Sequence, residues 1–149
     1  YSKFMKDYIS KNFEFAFGQH SGVIDSTKDR FELPRFPINE KYGDLERFKF
    51  ILKLFPIPYK SLSPKDKFVS KKQNPPTVEI NFFDEQKNIN LINCFSNESG
   101  SWEKSNITLN NNRLDINFSE KFKSRRGRIN CSLNDNDGWR WFGTQFTIN

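Results

Sequence analysis

His20 is the only histidine in the chain, and it lies in a short loop bracketed by Gly18 and Gly22. An imidazole in a loop that leaves a strand is placed for general acid–base work, because its ordinary pKa lies near neutrality. The same position also suits a solvent-facing or capping histidine. Arg35 follows Pro34 in an extended stretch. Its planar guanidinium can grip a carboxylate in a bidentate pair, either to orient a catalytic group or as a structural salt bridge. Trp139 and Trp141 alternate with Arg140 and Phe142, so the two indoles share one strand face. Exposed side by side they make a platform for sugar rings; packed inward they are core or interface residues. Arg125, Arg126 and Arg128 form a basic cluster that suits a solvated hairpin or a contact to an anionic glycan. Ser21 makes no nucleophile–base pair with His20, since adjacent residues of an extended chain point apart. No metal-ligand set is present, because a catalytic metal usually takes three protein donors.

The elements that must position these residues read as two textures. Residues 1–11 pattern as a helix, with Phe4, Met5, Tyr8 and Ile9 on one stripe and Asn12 suited to its end. Phe13, Phe15 and Phe17 alternate strictly, which predicts a strand. Residues 31–38 are extended, but Pro34 and Pro37 keep them out of a central ladder position. Asp44 is a plausible N-cap for a helix over 45–54, striped by Leu45, Phe48, Ile51 and Leu52, with Pro56 and Pro58 beyond it. Residues 56–74 form a Pro- and Lys-rich connector. From Thr77 onward the apolar residues alternate in short runs separated by turn signals, and no helical period occurs. The runs are Val78–Phe82, Ile89–Phe95, Ile107–Leu109, Leu114–Phe118, Ile129–Leu133 and Trp139–Ile148. They predict an antiparallel β-sandwich of the immunoglobulin or fibronectin sort over 75–149. Cys94 and Cys131 both fall in these runs. One bridge between them is geometrically possible, and two buried small apolar side chains is the expected reading.

Composition narrows the classes. Only 35% of the 149 residues are hydrophobic, yet 16% are aromatic and 17 are Phe, so any core is Phe-rich. The net charge of +6 resides wholly in the first 74 residues, where the basic side chains are interspersed with acids. That dispersion argues against a nucleic-acid interface. No apolar run long enough to span a bilayer occurs, and the first residues lack the apolar stretch of a signal peptide. The chain opens within a helical pattern, which predicts that it is the back part of a larger protein. The compartment stays open.

Three stretches carry a resemblance: residues 15–22 (Phe-Ala-Phe-Gly-Gln-His-Ser-Gly), residues 33–40 (Leu-Pro-Arg-Phe-Pro-Ile-Asn-Glu) with Tyr42-Gly43-Asp44, and Gly127-Arg128-Ile129-Asn130-Cys131 with residues 139–143 (Trp-Arg-Trp-Phe-Gly). Together they resemble the C-terminal portion of bacterial NodB-like polysaccharide deacetylases. The resemblance implies that residues 1–55 are the end of a deformed (β/α) barrel and that 75–149 is an appended sandwich, giving a mixed α/β or α+β chain. It also implies a parent hydrolase in which an Asp and two His hold a divalent metal that activates water against an acetamide. Those ligand motifs are missing here, as is the Leu-x-His pattern of the late barrel histidine, so the chain alone is expected to be inactive. The expected partner is a polysaccharide or oligosaccharide, and a homodimer is one way to bury the edges of half a barrel. Two other classes stay open: a free-standing carbohydrate-binding module with Trp139 and Trp141 exposed, and a structural immunoglobulin-like adapter with both buried.

Overall fold

The computed structural model describes residues 2–149; Tyr1, the first residue of the expected opening helix, lies outside the described residues. The fold is mixed α+β, mostly sheet with two helices. Helix α1 spans Lys3–Asn12 and helix α2 spans Leu45–Leu52. Ser2 caps α1 by accepting the Met5 amide at 3.4 Å, and Asp44 caps α2 by accepting the Arg47 amide at 2.8 Å. The strands are β1 (Phe55–Pro56), β2 (Ser61–Ser63), β3 (Phe68–Val69), β4 (Val78–Asn81), β5 (Asn93–Ser96), β6 (Glu103–Lys104), β7 (Asn106–Asn110), β8 (Arg113–Asn117), β9 (Arg126–Asp135) and β10 (Gly138–Ile148). They form two sheets. One runs β1-β10-β9-β5-β6, with β3 also on β10, and the other runs β2-β4-β8-β7.

The two sheets share one core. Val78, Ile80, Leu114 and Ile116 of the smaller sheet meet Ile129, Leu133, Phe142 and Phe146 of the larger. Alternation along β9 and β10 sends these side chains inward and leaves Trp139, Trp141 and Gly143 on the opposite face. The segment read as a connector, 56–74, runs through both sheets: it contributes β2 and β3, and Ile57 is fully buried within it.

Several expectations are corrected. Residues 13–17 do not form a strand, and no barrel forms among the described residues. A single parallel bridge joins Phe17 to Leu33. Backbone hydrogen bonds around it run from Ala16 to Arg30, Leu33 to Ala16, Gly18 to Leu33 and Arg35 to His20, at 2.8 to 3.0 Å. The alternating Phe13, Phe15 and Phe17 remain exposed, because no second apolar layer lies against them. Ile89 and Leu91 belong to a 3-10 turn rather than to the strand that carries Phe95, and Cys94, not Phe95, faces the core. The two cysteines are not free thiols. Cys94 and Cys131 are directly opposed across the antiparallel β5–β9 pair, with Cα atoms 4.0 Å apart, and are joined in a disulfide. Register brings the sulfurs together, and register was invisible in the separate runs.

Helix α1 is docked by its polar side. Lys6 reaches Asp29 at 2.6 Å and Glu32 at 3.1 Å, while Phe4, Met5 and Tyr8 point outward. No helix is long and apolar enough to cross a membrane.

Candidate functional site

The chain from Gly18 to Gly22 lies against the outer face of β10. A Cβ on Gly143 would sit 2.0 Å from the Ser21 carbonyl oxygen, and one on Gly22 would sit 2.9 Å from Pro34 Cβ. Glycine at both positions therefore lets three strands of backbone stack closely. This stacking fixes His20 and Arg35 together. The Arg35 amide donates to the His20 carbonyl at 3.0 Å, and Arg35 Nε donates to the Gly18 carbonyl at 3.0 Å.

A cleft of about 550 Å³ opens beside this stack, within the range of small-ligand sites. His20, Arg35 and Trp141 all line it, joined by Trp102, Arg126 and Arg128. Trp139 does not. It is 43% exposed and packs at 6.3 Å on Phe50, which stands between the two tryptophans. Trp141 packs on Phe36 at 6.1 Å with the rings inclined by 71°. The two indoles thus leave the same strand face but line separate hollows, Trp141 packed on Phe36 and Trp139 on Phe50 of α2.

The electrostatics of the cleft are one-sided. Arg35, Arg47, Arg126 and Arg128 line it, and no carboxylate does. His20 is uncharged at neutral pH. Burial pushes its pKa down to about 4, and the ammonium groups of Lys67 and Lys28 push in the same direction. Two donors of cleft-lining residues are buried without a hydrogen-bond partner: the Trp141 indole Nε1–H and Arg47 Nε. Buried donors normally find an acceptor, so both stand out as unsatisfied groups beside the cleft. Trp102, Arg47 and the Arg126/Arg128 pair were not singled out together from sequence; they come from the β5–β6 turn, α2 and β9, and only the fold juxtaposes them.

A second hollow, of about 410 Å³, is lined in part by Thr27, Lys28, Asp29 and Glu32. It is lined by the Lys6–Asp29–Glu32 group and by Lys67, which is 5% exposed and donates to the Pro64 carbonyl at 2.8 Å. Burial lowers the Lys67 pKa to about 8. Lys6 pairs there with Asp29 and Glu32, and Lys3 with Asp7, whereas the Lys67 ammonium meets the Pro64 carbonyl rather than a carboxylate.

The chain matches no protein-family pattern, no curated protein and no solved structure.

Proposed function

We propose that this chain is the glycan-contacting, non-catalytic C-terminal portion of a polysaccharide deacetylase, with 75–149 serving as an immunoglobulin-like accessory sandwich. The observation that carries this reading is the cleft. His20 and Arg35, and Trp141 more than a hundred residues further along the chain, line one hollow with Trp102, and two buried donors of its lining residues lack partners. Sugar hydroxyls are the acceptors such donors take, and indole faces are the apolar surface that sugar rings cover.

Two features support the placement within a larger enzyme. Residues 16–20 and 30–35 meet in one parallel bridge, an isolated pairing that further strands of a larger protein could extend. The outward Phe4, Met5, Tyr8, Phe13, Phe15 and Phe17 are apolar side chains that a further portion of such an enzyme would cover. The donor set does not fit the divalent metal of such an enzyme. The cleft offers one imidazole and no carboxylate, and no group of three or more His, Cys, Asp or Glu suited to a metal occurs among the described residues. No hydrolytic step is assigned to these residues; their role is to hold and orient the glycan.

The test is acetate release from an N-acetylated oligosaccharide by the protein expressed with its upstream reading frame. Chelator-sensitive release, with none from residues 1–149 alone, is expected. No release from the longer protein, or equal release from this chain alone, overturns the reading.

A further inference from the structure

Four arginines line the cleft, Arg35, Arg47, Arg126 and Arg128, and among the described residues none of them forms a salt bridge; Arg35 Nε donates to the Gly18 carbonyl and Arg128 Nε to Gln145. The contrast with Arg113 and Arg140 is direct, since both of those lie within 3.2 Å of carboxylates. Where cations gather without internal anions, the natural counter-charge comes from a ligand, and arginine is suited to carboxylates because its fork can donate two parallel bonds. We propose that the cleft selects an acidic glycan, one whose sugar rings carry carboxylates, over a neutral one. This rests on the glycan-contacting reading above and adds the charge of the ligand to it.

The geometry divides the work. Arg126 is exposed on β9, next to the cleft mouth, and Arg128 lies two residues along the same strand, so both project from one side of β9. A carboxylate near the mouth meets this pair. Arg47 lines the cleft from α2, with its guanidinium carbon 5.2 Å from the Tyr42 ring centre and its Nε lacking a partner. The Trp141 indole N–H is also unpartnered. His20 is neutral at pH 7 and offers a hydroxyl an uncharged partner. A nucleic-acid strand fits less well, because the basic side chains of the first 74 residues are interspersed with acids along the chain rather than clustered.

The test is a tryptophan-fluorescence titration of residues 1–149 at pH 7 with three ligands of similar length: trigalacturonate, chitotriose and a single-stranded trinucleotide. Trigalacturonate should bind at least about tenfold more tightly than either other ligand, because it alone makes charge-assisted hydrogen bonds from a sugar ring. Arg126→Gln, at an exposed position, should weaken it about tenfold and weaken chitotriose by much less. Lys104→Gln, which removes one positive charge outside the cleft, should leave it unchanged. Equal or tighter binding of chitotriose overturns the acidic-glycan proposal while leaving the glycan cleft standing. Equal or tighter binding of the trinucleotide, or equal losses in Arg126→Gln and Lys104→Gln, reduces the cleft to a general polyanion surface and overturns it too. Binding of no saccharide at millimolar concentration overturns both readings.

Discussion

Replacing Gly143 with alanine places a methyl carbon 2.0 Å from the Ser21 carbonyl oxygen and 2.8 Å from Asn130 Oδ1. Such carbons are essentially never found closer than 3.0 Å to a backbone atom, so the 18–22 loop must withdraw by about 1 Å. Overpacking of this kind costs roughly 1–3 kcal/mol, and losing the two hydrogen bonds that tie the loop to Arg35 costs about 1 kcal/mol each. A total of about 3–5 kcal/mol corresponds to a melting point lowered by roughly 10 °C for a chain of this size. The cheaper outcome is local release of the loop, and the sole histidine reports it. In the native protein the His20 pKa is held down to about 4, below the ordinary value of 6.5. The unfolded chain therefore binds the proton more readily. The contribution of neutral His20 to stability is complete above pH 6.5 and is lost as pH falls from 6.5 toward 4, by up to about 3 kcal/mol. In Gly143→Ala the freed imidazole should titrate near 6.5, and that slope of stability with pH should disappear. Proton NMR titration of the imidazole signals, with thermal unfolding at several pH values, measures both. A variant that melts within about 2 °C of the parent, with His20 still titrating near 4, refutes the claim that Gly143 seats the loop.

Lys67→Met should stabilise the protein at pH 7 by about 1–2 kcal/mol, since it removes a buried charge while giving up one hydrogen bond. Because the Lys67 pKa is lowered to about 8 in the fold, native stability should rise as pH climbs from 8 to 10.5, and the advantage of the variant should shrink over that window; thermal melts at pH 7 and pH 10 decide it. Cys94→Ala with Cys131→Ala opens a loop of 37-residue separation, and denaturant titration should show a loss of about 4 kcal/mol, mainly from the freer unfolded chain. Arg35→Lys lacks the Nε–H that holds the Gly18 carbonyl; a loss of about 1 kcal/mol in a urea melt is expected, with the His20 signals moving toward the free value.

The residues of the cleft were legible one at a time, but their meeting was not. His20 stood out because glycines bracketed a lone imidazole, and Trp141 because alternation marked a strand. What brings them together is the stacking of 18–22 on Gly143, a contact between segments more than a hundred residues apart that leaves no periodic trace. Helix α2 followed from stripe and cap and helix α1 from its stripe, yet α1 docks through Lys6 with Phe4, Met5 and Tyr8 outward, so periodicity gave the helix but not its facing. The later strands announced themselves through alternation on half-buried faces. Residues 13–17 carried the same alternation with nothing to pack against, and formed a single bridge. The short strands around 56–74 hide among prolines: Pro56 of β1 sits at the free edge of β10, where a missing amide is tolerated, while β2 and β3 carry no proline of their own.

The most direct test of the cleft as a glycan site is a nitrogen–proton correlation spectrum of the three indole N–H groups, followed as an oligosaccharide is added. The Trp141 Nε1–H is buried without an acceptor in the free protein, Trp102 lines the same cleft, and Trp139 lies in a separate hollow. Binding should move the Trp141 resonance most, in the direction of a newly formed hydrogen bond, shift that of Trp102, and leave that of Trp139 in place. If no indole resonance moves at millimolar saccharide, or only that of Trp139 does, the cleft is not where a glycan binds.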